Sequence, residues 1–524
     1  MTDVNTRSLA RSSLYVNAAQ LWQMASRLVL TPAVIAALGL DGYGAWTLVF
    51  SLCSYAIALD TGFGWAYAKL TAELDQRGEY ALLSEIISSG LVMVGSLAGL
   101  GLGALWLSHT WILPVLGVPP HLLHDTERTL LVLSLAVVLQ TTGGCVLPVL
   151  AGLQRMDLQY QIKIAGAVME FATALPLLLA GVGMVALPLG VLVGEIVCIA
   201  SAWWQCRRLR PLLRFSPLLA SGSGMRELVR LGIRFQSLLV VGTILRQGIA
   251  LLISGLYGTA MLGIFHLADR LLFVARMPGI AIVSPLMPAF SNLAAGGRPR
   301  AWRRLFLRAS KVLGAAAALP LLFSVVFAGP ILFAWTGQHF AGATWTVGAL
   351  APAEFVMLLT GVAAARLRAA GTVQLELTAG LVGTVLALLG LALAYPLAGY
   401  TGSIIAVTCG RCIGGVWFLE RFASVWKVDR WSYARDTIVA PVLLFSPVCL
   451  LVGAAAFTLP TLTSAAAGRG AVLCILALFG AAYAFACAPL AWFVVLSPAE
   501  RAMIGRFLPR GRRPRSQAWE TPPP

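Results

Sequence analysis

A chain of 524 residues that is 59% hydrophobic and only 11% charged, with mean hydropathy +0.84, has too little polar side chain to cover a water-soluble fold of that size. The net charge of +17 sits in short gaps between long apolar runs, so it reads as a topology signal and as contact with anionic lipid headgroups, not as a nucleic-acid surface. Nine cysteines lie mostly inside those runs without a pair in an outward loop, and Cys409 and Cys412 make a CxxC spacing without the strand and helix of a redox domain.

Runs of the roughly 20 apolar residues needed to cross a core about 30 Å thick can be marked fourteen times: 13–38, 45–69, 86–112, 129–151, 162–183, 184–204, 232–256, 263–290, 305–328, 345–368, 372–396, 402–421, 438–458 and 469–496. The first is too long and continuous for a cleaved signal peptide and predicts an uncleaved span. Between the fifth and sixth, Gly181, Gly183 and Pro188 predict a very tight turn. With the N-terminus inside, the inward segments hold 31 of the 38 Lys and Arg, the outward loops hold only Arg128 and Arg469, and five lie within spans. Moving the count by one span inverts this pattern, so it predicts an even number of spans with both termini cytoplasmic in a bacterial inner membrane.

The domains expected are 1–206 (spans one to six), a basic cytoplasmic linker at 207–231, 232–422 (spans seven to twelve), 437–497 (the last two spans), and a disordered basic tail at 498–524 with its arginines from Arg506 to Arg515. The outward loops are short, and no Gly-rich phosphate loop before a Lys, HExxH zinc spacing or Ser/His/Asp set is present, so no catalytic residue, metal or cofactor is expected.

An internal repeat emerges at an offset of 219 residues. LGLDGYGAW (Leu38 to Trp46) then falls on YGTAMLGIF (Tyr257 to Phe265), with Gly44 over Gly263 and Arg27 over Arg246. An arginine at mid-membrane costs about 2.5–3.5 kcal/mol even on lenient scales unless it faces a polar interior. Two at matched positions point to paired cationic anchors facing a water-filled cavity, or to ion pairs that hold the bundle together. The carboxylates within spans are Asp60, Glu170, Glu195, Asp269 and Glu354. Asp269, beside Arg270 and one turn from His266, suggests local pairing. Glu170, Glu195 and Glu354 are candidates for pairing or for carrying a proton, since desolvation favours the neutral acid.

Asp60 opens DTGFG (Asp60 to Gly64), where two glycines suggest a close helix approach or a local distortion. The run GYGAWTLVFSLCSYAIALDTGFGWAYAKLTAEL, Gly42 to Leu74, resembles the second-helix signature of bacterial polysaccharide flippases, the Wzx-type members of the multidrug, oligosaccharidyl-lipid and polysaccharide (MOP) exporter superfamily. Tyr43, Gly44 and Trp46, then Asp60, Gly62 and Gly64, then Lys69, Ala72 and Glu73 stand at the motif positions. AGLQRMDLQYQIK (Ala151 to Lys163) and LADRLLFVARMPGIAIVSPLMPAFSNLAA (Leu267 to Ala295) are similar to the family's inner loop after the fourth span and to its eighth span.

The resemblance implies an all-α fold of two pseudo-symmetric six-helix lobes, MATE-like, plus two C-terminal helices. It implies an undecaprenyl-diphosphate-linked oligosaccharide as cargo, moved to the outer leaflet by alternating access. Polysaccharide polymerase and chain-length regulator are the partners implied. The forked donors of arginine suit a diphosphate, which makes Arg27 and Arg246, with Arg276 and Arg411, the candidate ligands, and proton or Na⁺ coupling would fall to Asp60, Glu170, Glu195, Asp269 or Glu354. Alternatives are a peptidoglycan lipid-precursor flippase, a multidrug exporter, whose cationic cargo the arginines would repel, a polymerase or ligase, which the short loops disfavour, and a scaffold.

Overall fold

The computed structural model describes residues 6–61, 63–295, 299–459, 468–495 and 501; the arginines of the expected tail from Arg506 onwards lie outside them. In chain order the α-helices are α1 (Thr6–Thr61), α2 (Phe63–Arg77), α3 (Tyr80–Leu107), α4 (His109–Val115), α5 (Leu123–Gly143), α6 (Val146–Gly152), α7 (Met156–Leu179), α8 (Ala186–Leu209) and α9 (Gly222–Val283). They continue with α10 (Leu286–Ala295), α11 (Pro299–Val326), α12 (Ala328–Thr336), α13 (Ala341–Ala369), α14 (Gln374–Val425), α15 (Arg430–Ala434), α16 (Ala440–Phe457) and α17 (Arg469–Leu490). No strand occurs among the described residues.

Among the described residues, eleven helical stretches are long and apolar enough to cross a membrane. Three of them, Leu21–Arg77, Gly242–Leu293 and Gln374–Val425, run 52 to 57 residues. At 1.5 Å per residue that is about 80 Å, more than twice the hydrocarbon thickness, so each holds two crossings and the fourteen expected spans are accounted for. All three contain a glycine with φ in the left-handed region: Gly39 at 71°, Gly258 at 82° and Gly399 at 58°. A side chain resists that conformation, which is why the helices bend there. The expected turn between α7 and α8 also forms, with Gly181 at φ 81° and Gly183 at φ 84°.

Gly39 and Gly258 are 219 residues apart, the offset of the sequence repeat. Arg27 precedes the first break by 12 residues and Arg246 precedes the second by 12. Each arginine is thus about 18 Å along its helix from the bend.

The chain divides into two compact units. The first comprises 1–274, 328–357 and 373–418, and helix pairs within it are zipped by glycines. On α8, Gly190 and Gly194 form a GxxxG pair against α7: a Cβ at Gly190 would lie 2.6 Å from the Glu170 carbonyl oxygen, and one at Gly194 would lie 2.8 Å from that of Gly166. On α14, Gly410 and Gly414 repeat the arrangement, with a Cβ at Gly410 falling 2.4 Å from Ala387 N and one at Gly414 falling 2.6 Å from Gly383 Cα. Close backbone approach of this kind supplies packing where lipid gives no hydrophobic drive.

The two halves of the repeat also meet within this unit. A Cβ at Gly44 would sit 1.8 Å from the Thr259 carbonyl oxygen, and one at Gly263 would sit 2.9 Å from that of Leu40. Nearby, Thr259 Oγ1 donates to Asp41 Oδ1 at 3.4 Å.

Residues 210–221, within the expected linker, are bound to the first bundle. Arg210 donates to Asp75 through Nε at 2.6 Å and Nη2 at 2.9 Å. The backbone N–H groups of Arg214, Ser216 and Ser221 donate to the hydroxyls of Ser84, Ser88 and Ser89 on α3 at 3.0, 3.2 and 2.8 Å. Asp75 in turn holds the Arg210 guanidinium above its usual pKa. Serines at successive turns of one helix face satisfy donors that a loop at a membrane surface would otherwise leave to water.

The second unit comprises 275–327, 358–372 and 419–524. Here α11 packs on α16, and a Cβ at Gly314 would lie 2.1 Å from the Thr437 carbonyl oxygen. Arg366, 8% exposed, lies with its guanidinium carbon 4.7 Å from the Trp426 ring and 5.2 Å from the Trp302 ring. Those two rings take the place of hydrogen-bond acceptors by cation–π attraction.

Candidate functional site

The polar residues of the first unit converge on Arg27. It stands on the first limb of α1 with its side chain exposed, and its carbonyl accepts a hydrogen bond from Thr31 Oγ1 at 2.8 Å. Of the charges around it, Arg270 of α9 acts most strongly, followed by Glu170 of α7. Trp22 meets Phe171 edge-on at 6.1 Å, and the Trp335 indole donates to the Leu28 carbonyl at 2.7 Å, so the helix face bearing Arg27 is held from both sides. The backbone of Glu170 is fixed by the glycine contact with Gly190.

Glu195 of α8 accepts a hydrogen bond from Gln140 Nε2 of α5 at 2.7 Å and interacts electrostatically with Glu170 and Lys163. A chain of charge therefore runs from Arg270 and Arg27 through Glu170 to Glu195, across four helices. A basic end and an acidic end in electrostatic contact can hold an anion at one and a proton or cation at the other.

Arg246 is exposed and forms no hydrogen bond or ion pair with a described residue. The arginine brought to Arg27 is Arg270. In the sequence Asp269 stands beside Arg270 and one turn from His266 as a candidate for local pairing; no ion pair joins Asp269 to Arg270 among the described residues, since consecutive helical side chains point about 100° apart. Both instead act on the buried hydroxyl of Tyr43. No local signal marked Arg270, since its neighbourhood depends on how α9 packs.

Arg411 and Glu354 are brought together. Arg411 Nη1 lies 2.8 Å from Glu354 Oε1, whose side chain is fully buried. Removing one partner of such a pair costs about 3–5 kcal/mol, whereas replacing both with apolar groups is often neutral. Glu354→Ala is therefore expected to lower the melting temperature of the purified protein, and Glu354→Leu with Arg411→Met to restore it; a double variant as unstable as the single one would show a role beyond pairing. Arg276 is half-buried and belongs to the second unit.

At the DTGFG motif, α1 ends at Thr61 and α2 begins at Phe63. The Asp60 side chain and Gly62 lie outside the described residues. A Cβ at Gly64 would make only an ordinary 3.6 Å contact with Pro148. Among the described residues no group of His, Cys, Asp and Glu is arranged to hold a metal ion.

Residues 103–344 match a family model described as polysaccharide biosynthesis protein. Among solved structures, the chain is similar to a lipid II flippase MurJ in an inward closed conformation, at 12% identity and TM-score 0.67 over 91% of this chain and 99% of that one. It is also similar to an inward-facing multidrug resistance MATE family transporter of the MOP superfamily, at 14% identity and TM-score 0.66 over 78% and 96%. A Vibrio cholerae MATE transporter, VcmN, matches at 16% identity and TM-score 0.52 over 81% and 99%. No curated protein matches the sequence. Eleven long apolar helical stretches among the described residues, with this likeness, define a fold of the MurJ and MATE type.

Proposed function

We propose that the protein flips an undecaprenyl-diphosphate-linked oligosaccharide, the repeat unit of an O-antigen, exopolysaccharide or capsule, from the cytoplasmic to the outer leaflet of the inner membrane. The observation that carries this reading is Arg27: an exposed guanidinium within a membrane span, whose strongest charged neighbour is another arginine. Two like charges are not placed together in a low-dielectric span without cost, and a multiply charged anion between them offsets it. Arg27 and Arg270 grip the diphosphate in this reading, Arg246 presents the equivalent charge from the second half, and the polyprenyl tail stays in lipid. The match of residues 103–344 to a polysaccharide biosynthesis family favours this cargo, and the same arginines disfavour a cationic drug. Polymerase and chain-length regulator would act on the delivered units.

A peptidoglycan lipid precursor is the second reading, favoured by the 91% of this chain that superposes on a lipid II flippase. A strain lacking the protein decides between them: loss of surface glycan with lipid-linked repeat units accumulating on the cytoplasmic side supports the first, and growth arrest with accumulated peptidoglycan precursor supports the second.

Glu195, joined to Gln140 and close in charge to Glu170, is the proposed coupling carboxylate. In proteoliposomes, Glu195→Gln is expected to transport at a rate that no longer responds to an imposed proton gradient, while the wild type responds several-fold. Equal responses in both proteins would remove Glu195 from the mechanism.

A further inference from the structure

The second unit carries a cavity that the transport reading does not use. Lys311 is the last charged residue of α11 before an apolar run to Val326, so it marks the depth at which hydrocarbon gives way to headgroups. Arg303, Arg308 and Lys311 line one wall of a cavity of about 240 Å³. The other wall comes from the turn at Asp429, from Ser432 and Tyr433 of α15, and from Asp436. Tyr433 is stacked on Phe306 at 5.6 Å and 11°, which gives the cavity a rigid floor.

Both carboxylates have local partners: Asp429 Oδ2 caps α15 by accepting from Ser432 N at 3.3 Å, and Asp436 Oδ1 accepts from Arg435 Nε at 3.0 Å. Arg303 donates through Nη2 to the Lys427 carbonyl at 3.1 Å, which leaves most of its fork available. Lys311 is half-buried and makes no hydrogen bond or ion pair with a described residue. With Asp436 paired to Arg435, the three cations are opposed only by Asp429, so the cavity is net positive. The volume is below the roughly 300–1,000 Å³ of a drug-sized pocket, too small for an oligosaccharide. Leu307 and Val312, both 37% exposed, extend apolar surface along the same helix.

We propose that this cavity binds the phosphodiester of a glycerophospholipid from the leaflet at the charged end of α11, with Arg303, Arg308 and Lys311 around the phosphate and the acyl chains running along α11. The net positive charge suits an anionic phosphodiester, the Ser432 hydroxyl suits the polar headgroup, and basic pockets between helices at this depth are where lipid headgroups are held. The bound lipid is a constituent of the bilayer and not the transported cargo, so the proposal stands whichever cargo the protein carries.

The full-length protein, stripped of lipid in detergent and then exposed to micelles containing phosphatidylglycerol or phosphatidylethanolamine, tests this by native mass spectrometry. One phospholipid should be retained per chain by the wild type, and retention should fall at least tenfold in Arg308→Ala/Lys311→Ala, given that charge-assisted hydrogen bonds are lost. Lys311→Met should weaken retention several-fold, and because Lys311 has no described partner it leaves no orphaned group if the double variant fails to fold. Inorganic phosphate in excess should not displace the lipid. Equal retention by wild type and Lys311→Met, displacement by inorganic phosphate, or equal retention of an uncharged glycolipid would each overturn the proposal.

Discussion

Arg27→Ala is expected to abolish glycan export while leaving the protein as stable as the wild type or more so. Truncating one partner of a desolvated charge pair costs about 2–5 kcal/mol of binding, a roughly 30- to several-thousand-fold loss of affinity for the diphosphate. Without cargo, Arg27 has both Arg270 and Glu170 as charged neighbours, so removing it relieves a repulsion as well as forfeiting an attraction. Residues that serve an absent ligand at the expense of the resting fold show this trade. The measurements are binding of lipid-linked diphosphate to the purified variant, glycan export in a complemented deletion strain with membrane levels checked, and a melting curve. Arg27→Lys keeps the charge without the fork and should fall between the two. A marked drop in melting temperature for Arg27→Ala, with binding preserved, would make Arg27 a structural residue and defeat the site.

Gly44→Ala should have the second-largest effect, through geometry alone. The added Cβ would lie 1.8 Å from the Thr259 carbonyl oxygen and 2.5 Å from its carbon; these are backbone atoms, so no rotamer change relieves the clash. Overpacking costs about 1–3 kcal/mol, and a backbone clash belongs at the upper end. If this contact exists in only one transport state, about 3 kcal/mol shifts the balance between states by roughly 150-fold. Cysteine accessibility on either side of the membrane, compared between wild type and Gly44→Ala, reads that shift. Unchanged accessibility together with normal export would show that the corner tolerates separation. Gly64→Ala, with only a 3.6 Å contact, is the matched control and should be near neutral.

The span count and the match of Arg27 with Arg246 were legible in the sequence because charge alternation and repeat offset are one-dimensional signals, whereas the breaks at Gly39 and Gly258 show only in the backbone. The glycine pairs Gly190/Gly194 and Gly410/Gly414 follow a motif with known mechanics, but they lie among many other glycines and only the packing shows which approach a neighbour. Arg270 was read as a candidate partner of Asp269 because adjacency in sequence is visible and a neighbour on α1 is not. The bonds from 210–221 to Ser84, Ser88 and Ser89 were hidden for the same reason: backbone donors carry no sequence signature. The tight contact of Gly44 with Thr259 was not legible, since a resemblance transfers residues without their surroundings.

The reciprocal corner has an ancestry written into it. Gly44 approaches Thr259 while Gly263 approaches Leu40, and each residue of one contact lies 219 positions from its counterpart in the other. A contact of i with j matched by j with i is the mark of an isologous two-fold interface, here inside one polypeptide, as if two copies of a smaller protein had been fused. Fusion permits what a homodimer forbids. Arg27 keeps its twin in Arg246, whereas the glycine pair Gly190/Gly194 is matched by Gly410/Gly414, which sets Gly415 opposite Glu195. The Glu195 carboxylate therefore has no twin, and a symmetric frame carries an asymmetric set of charges.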